Sequence, residues 1–568
     1  MIPQKRIGAF LCTCGDTLSS SVGVEELKSQ VELLPGILFC HVHDALCQEE
    51  GRAFLKEQVQ ASYLEGILLA GCSPRGHGAI FERLIAQWGL NEQMLEVVDI
   101  REGCAWVHAD QPDGATAKAQ GLVRMGWAKL SMKGPWQDAD LPLRKSALIV
   151  GGGPAGMAAA LGLAQQGMKA HLVEKDNMLG GWLRRLSSLY PSGVKGADLL
   201  ETMKRKMEQS PFISILLNHE VAAVKGNVGN FLVHLRARAE CKTIKTGAVI
   251  LAMGAQPFVP SGLFKYGEVQ GVMTQEELES ALLQGQEFSG TTVFIQCIGA
   301  RIPERPYCSS ICCPEALKNA GLIRTRWPQS KVFLLHRDVM APGVDLERLY
   351  HQAMDSGVRF LRYTPDHLPS IEGTGSVRAV KVLDSLGGRE MVLEADRVIL
   401  SNPLVANPAN AELAGMLSLS LDGYGFFAGR SLLEPNQMAI PGIYACGTSC
   451  WPCSVQEAIT QGVAGAGSVL ALLKAETAKA SDFGAMEGVK GWPAVVKESA
   501  CSGCGNCSQA CPVKSIGLQP LNGRRVARVN KVRCTGCGTC ATVCSGGAIQ
   551  TPSLSDAMAT KMIHEAFQ

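Results

Sequence analysis

Residues 145–175 read KSALIVGGGPAGMAAALGLAQQGMKAHLVEK, and this stretch decides the fold of the middle of the chain. An apolar run, Ala147–Val150, enters Gly151-x-Gly153-x-x-Gly156; a helix-forming segment beginning at Pro154 and Ala155 follows, and a second apolar run ends at Glu174 and Lys175. The first two glycines permit a tight turn and close approach to a pyrophosphate, and the third lets helix pack on strand. The helix N-terminus supplies free N–H groups and the positive end of a dipole. Glu174 stands 18 residues beyond Gly156, where a carboxylate accepts from a ribose 2′-hydroxyl. A lone Gly-x-Gly-x-x-Gly is weak evidence; inside a complete strand–turn–helix–strand unit it reads as a dinucleotide site.

The flanking sequence favours FAD over NAD. Gly180 and Gly181 follow Glu174 as they do in two-dinucleotide flavoproteins, and TGAVILAMGAQP resembles their strand-to-glycine return at Ala252–Gly254. GIYACGT (Gly442–Thr448) resembles the last flavin-contacting strand and loop, and a helix-like QEAITQGVAGAGSVLALL comes next. The acid usual after Gly447 is replaced by Thr448. Residues 266–400 occupy the place of a pyridine-nucleotide part, yet its first strand ends in QCIGAR, with Gly299 and no phosphate loop.

In place of that loop lies CIGARIPERPYCSSICCPEALKN, Cys297–Asn319, with thiols at Cys297, Cys308, Cys312 and Cys313. Pro314 suits a first helical position, making Cys313 the expected N-cap. Thiolates there gain from unpaired N–H groups and the dipole. A cluster site, redox thiols and inert packed thiols all remain open on these residues alone.

Twenty-two cysteines in 568 residues are far more than an ordinary cytosolic enzyme carries, and a chain this long builds cores without disulfides. The formal charge of +2 gives no basic field for nucleic acid. No apolar run reaches the ~18–20 residues of a transmembrane span, and the N-terminus lacks a signal-peptide pattern. The expected location is cytoplasmic. Residues 1–135 read as a small α/β domain with Cys12, Cys14, Cys40, Cys47, Cys72 and Cys104; metal binding and structural burial are both open there. Cys446, Cys450 and Cys453 form a third group, CGTSCWPC, open between a redox pair, metal binding and burial.

The domain from 486 to 568 is sharper. Cys501-x2-Cys504-x2-Cys507-x3-Cys511-Pro512 repeats 33 residues later as Cys534-x2-Cys537-x2-Cys540-x3-Cys544. This is the bacterial two-[4Fe–4S] pattern, in which the fourth cysteine of each run serves the other cluster. Cys501, Cys504, Cys507 and Cys544 are the expected ligands of one, and Cys534, Cys537, Cys540 and Cys511 of the other.

The expected fold class is therefore α/β: a small N-terminal α/β domain (1–135), a thioredoxin-reductase-like two-dinucleotide-binding flavoprotein domain (141–485), and a C-terminal α+β bacterial-type 2[4Fe–4S] ferredoxin domain (486–568). The whole chain resembles the HdrA-like flavoproteins of heterodisulfide reductase, through CTCG, CSPRGH, REGCAWVHAD, GGGPAGMAAA, the Cys297–Asn319 stretch and the terminal ferredoxin. That resemblance implies a [4Fe–4S] cluster on Cys297, Cys308, Cys312 and Cys313, with Lys318 near the flavin N5. It implies a further cluster in the first domain, with Cys14, Cys47, Cys72 and Cys104 as the best-matching ligands. It also implies flavin-based electron bifurcation in a multi-subunit complex with ferredoxin, HdrB/HdrC-like subunits and a donor subunit of hydrogenase or formate-dehydrogenase type, the chain itself a homodimer. The sequence departs from the resemblance twice: no ferredoxin module is inserted in GNFLVHLRARAECKTIKTGAVILAMG, and CGTSCWPC has three extra thiols. A non-bifurcating relay (Qmo-like), an NAD(P)H-dependent flavin oxidoreductase and a scaffold with vestigial sites are the rivals. The missing second phosphate loop speaks against the oxidoreductase, and the intact ferredoxin runs against the scaffold.

Overall fold

A computed structural model describes residues 5–134, 140–237, 241–479, 492–552 and 555–567. The chain forms two compact units, 141–478 and the pair of segments 1–140 and 479–568. The flavin-type unit is thus inserted, in sequence, between the two segments of the other.

Within 141–478, five parallel strands stand in the order 443–445, 248–251, 146–150, 169–173, 213–216. The 146–150 run is almost wholly buried because helices cover both faces of a parallel sheet, which is why it reads as an unbroken apolar stretch. A second five-stranded parallel sheet repeats the plan as 272–274, 397–400, 291–295, 331–336, 359–362. Each is interrupted along the chain by an antiparallel three-stranded meander, at 220–246 and 370–394. Both sheets reverse strand order at their middle strand, 146–150 and 291–295. That reversal opens the crevice in which such sheets bind ligands.

Steric demands explain the first crevice. A Cβ at Gly151, whose φ is +111°, would meet the Ala252 carbonyl oxygen at 2.2 Å, and one at Gly156 would meet the Gly151 carbonyl oxygen at 1.9 Å. The Pro154–Gln165 and Val455–Leu472 helices pack tightly, with Gly462 against the Ala155 carbonyl. The Ser454 hydroxyl and the Glu457 side chain cap the second helix reciprocally.

In the other unit, parallel strands stand in the order 37–43, 7–12, 66–71, 95–99. A single π-type turn, Arg101–Ala105, leads to the long Pro112–Met132 helix. The Asp556–Ala566 helix packs on that helix: Met562 joins its core, and the Lys561 ammonium lies 4.6 Å over the Trp127 ring while donating to Ser131 Oγ at 2.9 Å. The expected first and last domains therefore share one compact unit.

Gly462→Ala forces a methyl group to within 2.2 Å of the Ala155 carbonyl oxygen. It should cost ~1–3 kcal/mol as overpacking. Gly467→Ala, exposed and with nothing within 4 Å, should stabilise the helix by up to ~1 kcal/mol. Thermal unfolding of the two variants in parallel checks the opposite signs.

Candidate functional site

A cavity of about 530 Å³ opens at the first crevice. Gly151, Gly153, Pro154, Ala155, Glu174, Lys175, Gly181 and Gly254 line it, as expected from the sequence. Gly156 and Gly447 do not border it; they serve it from behind, Gly156 against the Gly151 carbonyl and Gly447 against the Ala155 side chain. Glu174 accepts the Gly152 N–H at 2.7 Å through one oxygen and the Asp176 N–H at 2.9 Å through the other, so the carboxylate is fixed at the end of its strand. No side chain caps the Pro154 helix, leaving its first N–H groups to an anion. Open space beside Gly153 and these free donors fit the pyrophosphate of FAD. Thr448 borders the cavity where a carboxylate would be usual, and Gln461 holds the Gly447 N–H at 2.8 Å.

The opposite wall is where sequence reading stopped short. Trp182, Tyr190, Asn402, Glu279 and Glu315 line it, together with Cys312. Trp182 is anchored by its indole N–H on the Ala255 carbonyl at 3.2 Å. Nothing in the spacing of these residues announces them, because they come from helices, turns and loops far apart in the chain that only the two-sheet fold brings together.

The four central thiols sit at the second crevice. The helix runs Cys312–Arg326 with Ile311 at its N-cap, so the expected Cys313 cap is corrected: both thiols stand in the first turn, one residue apart. Their loop is strained, with Cys297 at φ +62°, Arg301 at +56° and Ser310 at +58°. Such left-handed residues cost ~1–3 kcal/mol each and collect at functional sites. Cys312 Sγ lies 3.0 Å from Ser309 Oγ and donates to the Asn402 carbonyl at 3.3 Å. Burial pushes the Cys312 thiol well up and Cys313 to about 12; the neighbouring thiols oppose ionisation further. Burial raises Cys297 too, against the pull of Arg337 and Arg301. A metal bound by these thiols would supply the positive charge that holds them deprotonated. Cys308 is the exposed corner.

Lys318 does not line the cavity. It is buried one layer behind, where its ammonium donates to the Ser188 carbonyl at 2.9 Å, to Glu315 at 2.8 Å and to Glu279. Burial alone would lower the ammonium, yet the two carboxylates hold it raised. Burial and the hydrogen bond to Glu279 push Glu315 up to about 8. Burial also works against Glu279, but its hydrogen bonds from Glu315, Lys318 and the Ser187 N–H bring it down to about 2. Glu279 and Glu315 thus face the cavity with Lys318 as their common counter-ion.

In the terminal domain two hollows are lined by the crossed sets: Cys501, Cys504, Cys507 and Cys544 in one, Cys511, Cys534, Cys537 and Cys540 in the other. Backbone N–H groups of Ala527 and Ala494 point at Cys501 and Cys534, each at 3.4 Å. Such bonds to cluster sulfurs are among the levers on reduction potential.

The first domain regroups its thiols. Cys14 Sγ lies 3.6 Å from Cys12 Sγ and hydrogen-bonds Cys72 as well, and these bonds bring both neighbours down to about 6. Burial raises Cys47, with Cys12 and Cys72 adding to it. Cys104 stands apart: it is fully buried in the core on the other sheet face and donates to the Ala115 carbonyl at 3.2 Å. The structure thus brings Cys14, Cys47 and Cys72 together with Cys12 in place of Cys104. The reason is the π-type turn, which carries Cys104 under the long helix instead of to the strand ends. Cys446 and Cys453 border the dinucleotide cavity, whereas Cys450 packs in a separate core beside Phe427. Among the described residues no three His, Cys, Asp or Glu side chains converge closely enough to hold a single metal ion. A cubane cluster asks for something else, four thiols spread around its corners.

A family model for pyridine nucleotide-disulphide oxidoreductases matches residues 145–296, and one for a 4Fe-4S dicluster domain matches residues 500–548. The chain is 30% identical over 639 residues to the iron-sulfur A-type component of the CoB–CoM heterodisulfide reductase of Methanocaldococcus jannaschii, with 96% of each chain covered. It is 28% identical to the corresponding A-type component of the H(2)/formate:CoB-CoM heterodisulfide,ferredoxin reductase of Methanococcus maripaludis, with 98% of each covered. Among solved structures, the thioredoxin reductase of Lactococcus lactis matches with a TM-score of 0.42 and 20% identity, over 58% of this chain and 99% of that one.

Removing Lys318 leaves two buried carboxyls without their counter-ion. Lys318→Met should cost ~3–5 kcal/mol. The Lys318→Met/Glu279→Gln double variant should recover part of that loss, a non-additivity read from thermal unfolding.

Proposed function

The chain belongs to the HdrA family of heterodisulfide reductase iron–sulfur subunits, and we propose that it parts electron pairs between a high-potential acceptor and ferredoxin by flavin-based bifurcation. It is a flavin- and iron–sulfur-type oxidoreductase component. FAD supplies conversion between two-electron and one-electron transfer, and each [4Fe–4S] cluster takes a single electron. The observation that carries the reading is Cys312: of the four thiols that replace a nucleotide loop, it borders the dinucleotide cavity.

The residues divide the work. Gly151, Gly153, Glu174 and the Pro154 helix hold the dinucleotide. Cys297, Cys308, Cys312 and Cys313 hold a cluster against it, and Glu279 and Glu315 keep a proton at the cavity wall under the charge of Lys318. Cys12, Cys14, Cys47 and Cys72 hold a cluster in the first domain, and the crossed sets hold two in the last. The high-potential acceptor is a disulfide or comparable group on HdrB/HdrC-like subunits, the donor is of hydrogenase or formate-dehydrogenase type, and the chain works as a homodimer in the cytoplasm. Among the described residues no helix is long and apolar enough to cross a membrane.

One observation favours a second reading, a relay that does not split pairs. Strands 230–236 and 241–246 pair directly, Arg236 opposite Cys241, where some relatives carry an inserted ferredoxin module. One electron branch is thus absent.

Anaerobic purification with iron, sulfide and flavin quantification tests the site. Cys313→Ala should lose about four irons and keep FAD; unchanged iron rejects the central cluster. Cys12→Ala should lose iron from the first domain and Cys104→Ala should not. Spectropotentiometry separates the readings: crossed one-electron flavin couples support bifurcation, and couples in the ordinary order leave the relay.

A further inference from the structure

Three arginines crowd the back of the central thiols, at the end of the 331–336 strand. Asp338 gathers two of them, taking Arg301 on one oxygen at 2.9 Å and Arg362 on the other at 3.2 Å. Arg362 Nε also donates to the Arg337 carbonyl at 2.9 Å, and Arg337 Nη1 to the Arg301 carbonyl at 3.0 Å. Arg337 is only 8% exposed, packs 5.9 Å over the Tyr363 ring, and its Nε has no hydrogen-bond partner among the described residues. The thiols lie against this group: Cys313 Sγ is 3.9 Å from the Asp338 carbonyl, and Arg301 reaches the Cys297 thiol. Three guanidiniums against one carboxylate leave two positive charges in excess in a group that meets the sulfurs at Cys297 and Cys313.

In a dinucleotide fold the acid at the end of the second strand takes a ribose, and a nearby arginine takes a 2′-phosphate. Here neither is free. Asp338 is spent on Arg301 and Arg362, Arg337 is buried, and the preceding loop carries thiols. We propose that Arg301 and Arg362, held by Asp338, and the buried Arg337 that joins them form a redox-tuning wall that raises the reduction potential of the cluster on Cys297, Cys308, Cys312 and Cys313. This rests on the cluster assigned above. The step it favours adds one electron to the cluster with no proton, so its negative charge grows by one. Fixed cations, Arg337 buried and Arg301 and Arg362 part-exposed, stabilise that added charge, net charge and hydrogen bonding to sulfur being the levers on such potentials. Guanidiniums suit the task because they stay charged at any working pH. The wall makes this cluster the favourable first stop for an electron leaving the flavin cavity.

The test is an EPR-monitored redox titration of the full chain, purified anaerobically, following the cluster signal that Cys313→Ala abolishes. Arg301→Met should lower the equilibrium constant for its reduction about tenfold, ~59 mV for one electron. Arg362→Met should shift it in the same direction by less, Arg301→Lys should stay near the parent, and the ferredoxin signals should not move. An unshifted Arg301→Met with iron retained overturns the proposal, as does Arg301→Lys shifting as far as Arg301→Met. NADPH reducing the flavin in the parent and not in Arg301→Met overturns it in favour of a nucleotide site. If Cys313→Ala abolishes no signal and loses no iron, the cluster assignment itself fails, a result distinct from an unshifted potential.

Discussion

The 141–478 unit depends on one close approach of backbones. At the reversal of strand order, Gly151 passes the Ala252 carbonyl so closely that any side chain is excluded, and Gly156 packs against the Gly151 carbonyl in turn. That contact sets the helix N-terminus over the crevice and fixes where a pyrophosphate can lie. The second sheet repeats the topology without the contact. Its middle strand, 291–295, leads into Cys297, left-handed at φ +62°, and the space a nucleotide loop would fill is given to thiols. One architecture thus presents two crevices with different chemistry.

Two kinds of electrostatics meet at the shared cavity wall. On one side, burial makes the thiols resist ionisation. On the other, Lys318, Glu279 and Glu315 form a closed set in which each charge is answered. The lysine matters to the cavity through its carboxylates. The lysine expected beside the flavin N5 stands behind two carboxylates that line the cavity and is ion-paired to both.

Legibility in the sequence followed the range of the contacts. The glycine loop and the ferredoxin runs were readable because their geometry is local: spacing of one to four residues dictates a turn or a ligand set, whereas the central thiols, with Cys308 eleven positions beyond Cys297, stayed open on spacing alone. The crossed assignment of Cys511 and Cys544 was readable for the same reason, since the repeat carries it. Cys104 was misplaced because a π-type turn, invisible to period counting, rotates it to the opposite sheet face. Trp182, Tyr190 and Glu279 were missed because a short turn, a loop and a helix far apart in the chain deliver them, and no short pattern spans such distances. The N-cap at Ile311 shows the smaller error typical of helix ends.

The docking of the Asp556–Ala566 helix on the Pro112–Met132 helix has a consequence for how the chain is made. Residues 112–132 leave the ribosome more than four hundred residues before the helix that covers them. Until then Trp127 and its neighbours have no lid from Met562 and Lys561. During synthesis the first segment must wait, partly uncovered, while the whole flavin-type unit is built between its halves. Folding of that unit is therefore bracketed in time by the two segments that complete each other, and a nascent chain stalled before residue 556 exposes an apolar helix face that the finished protein hides.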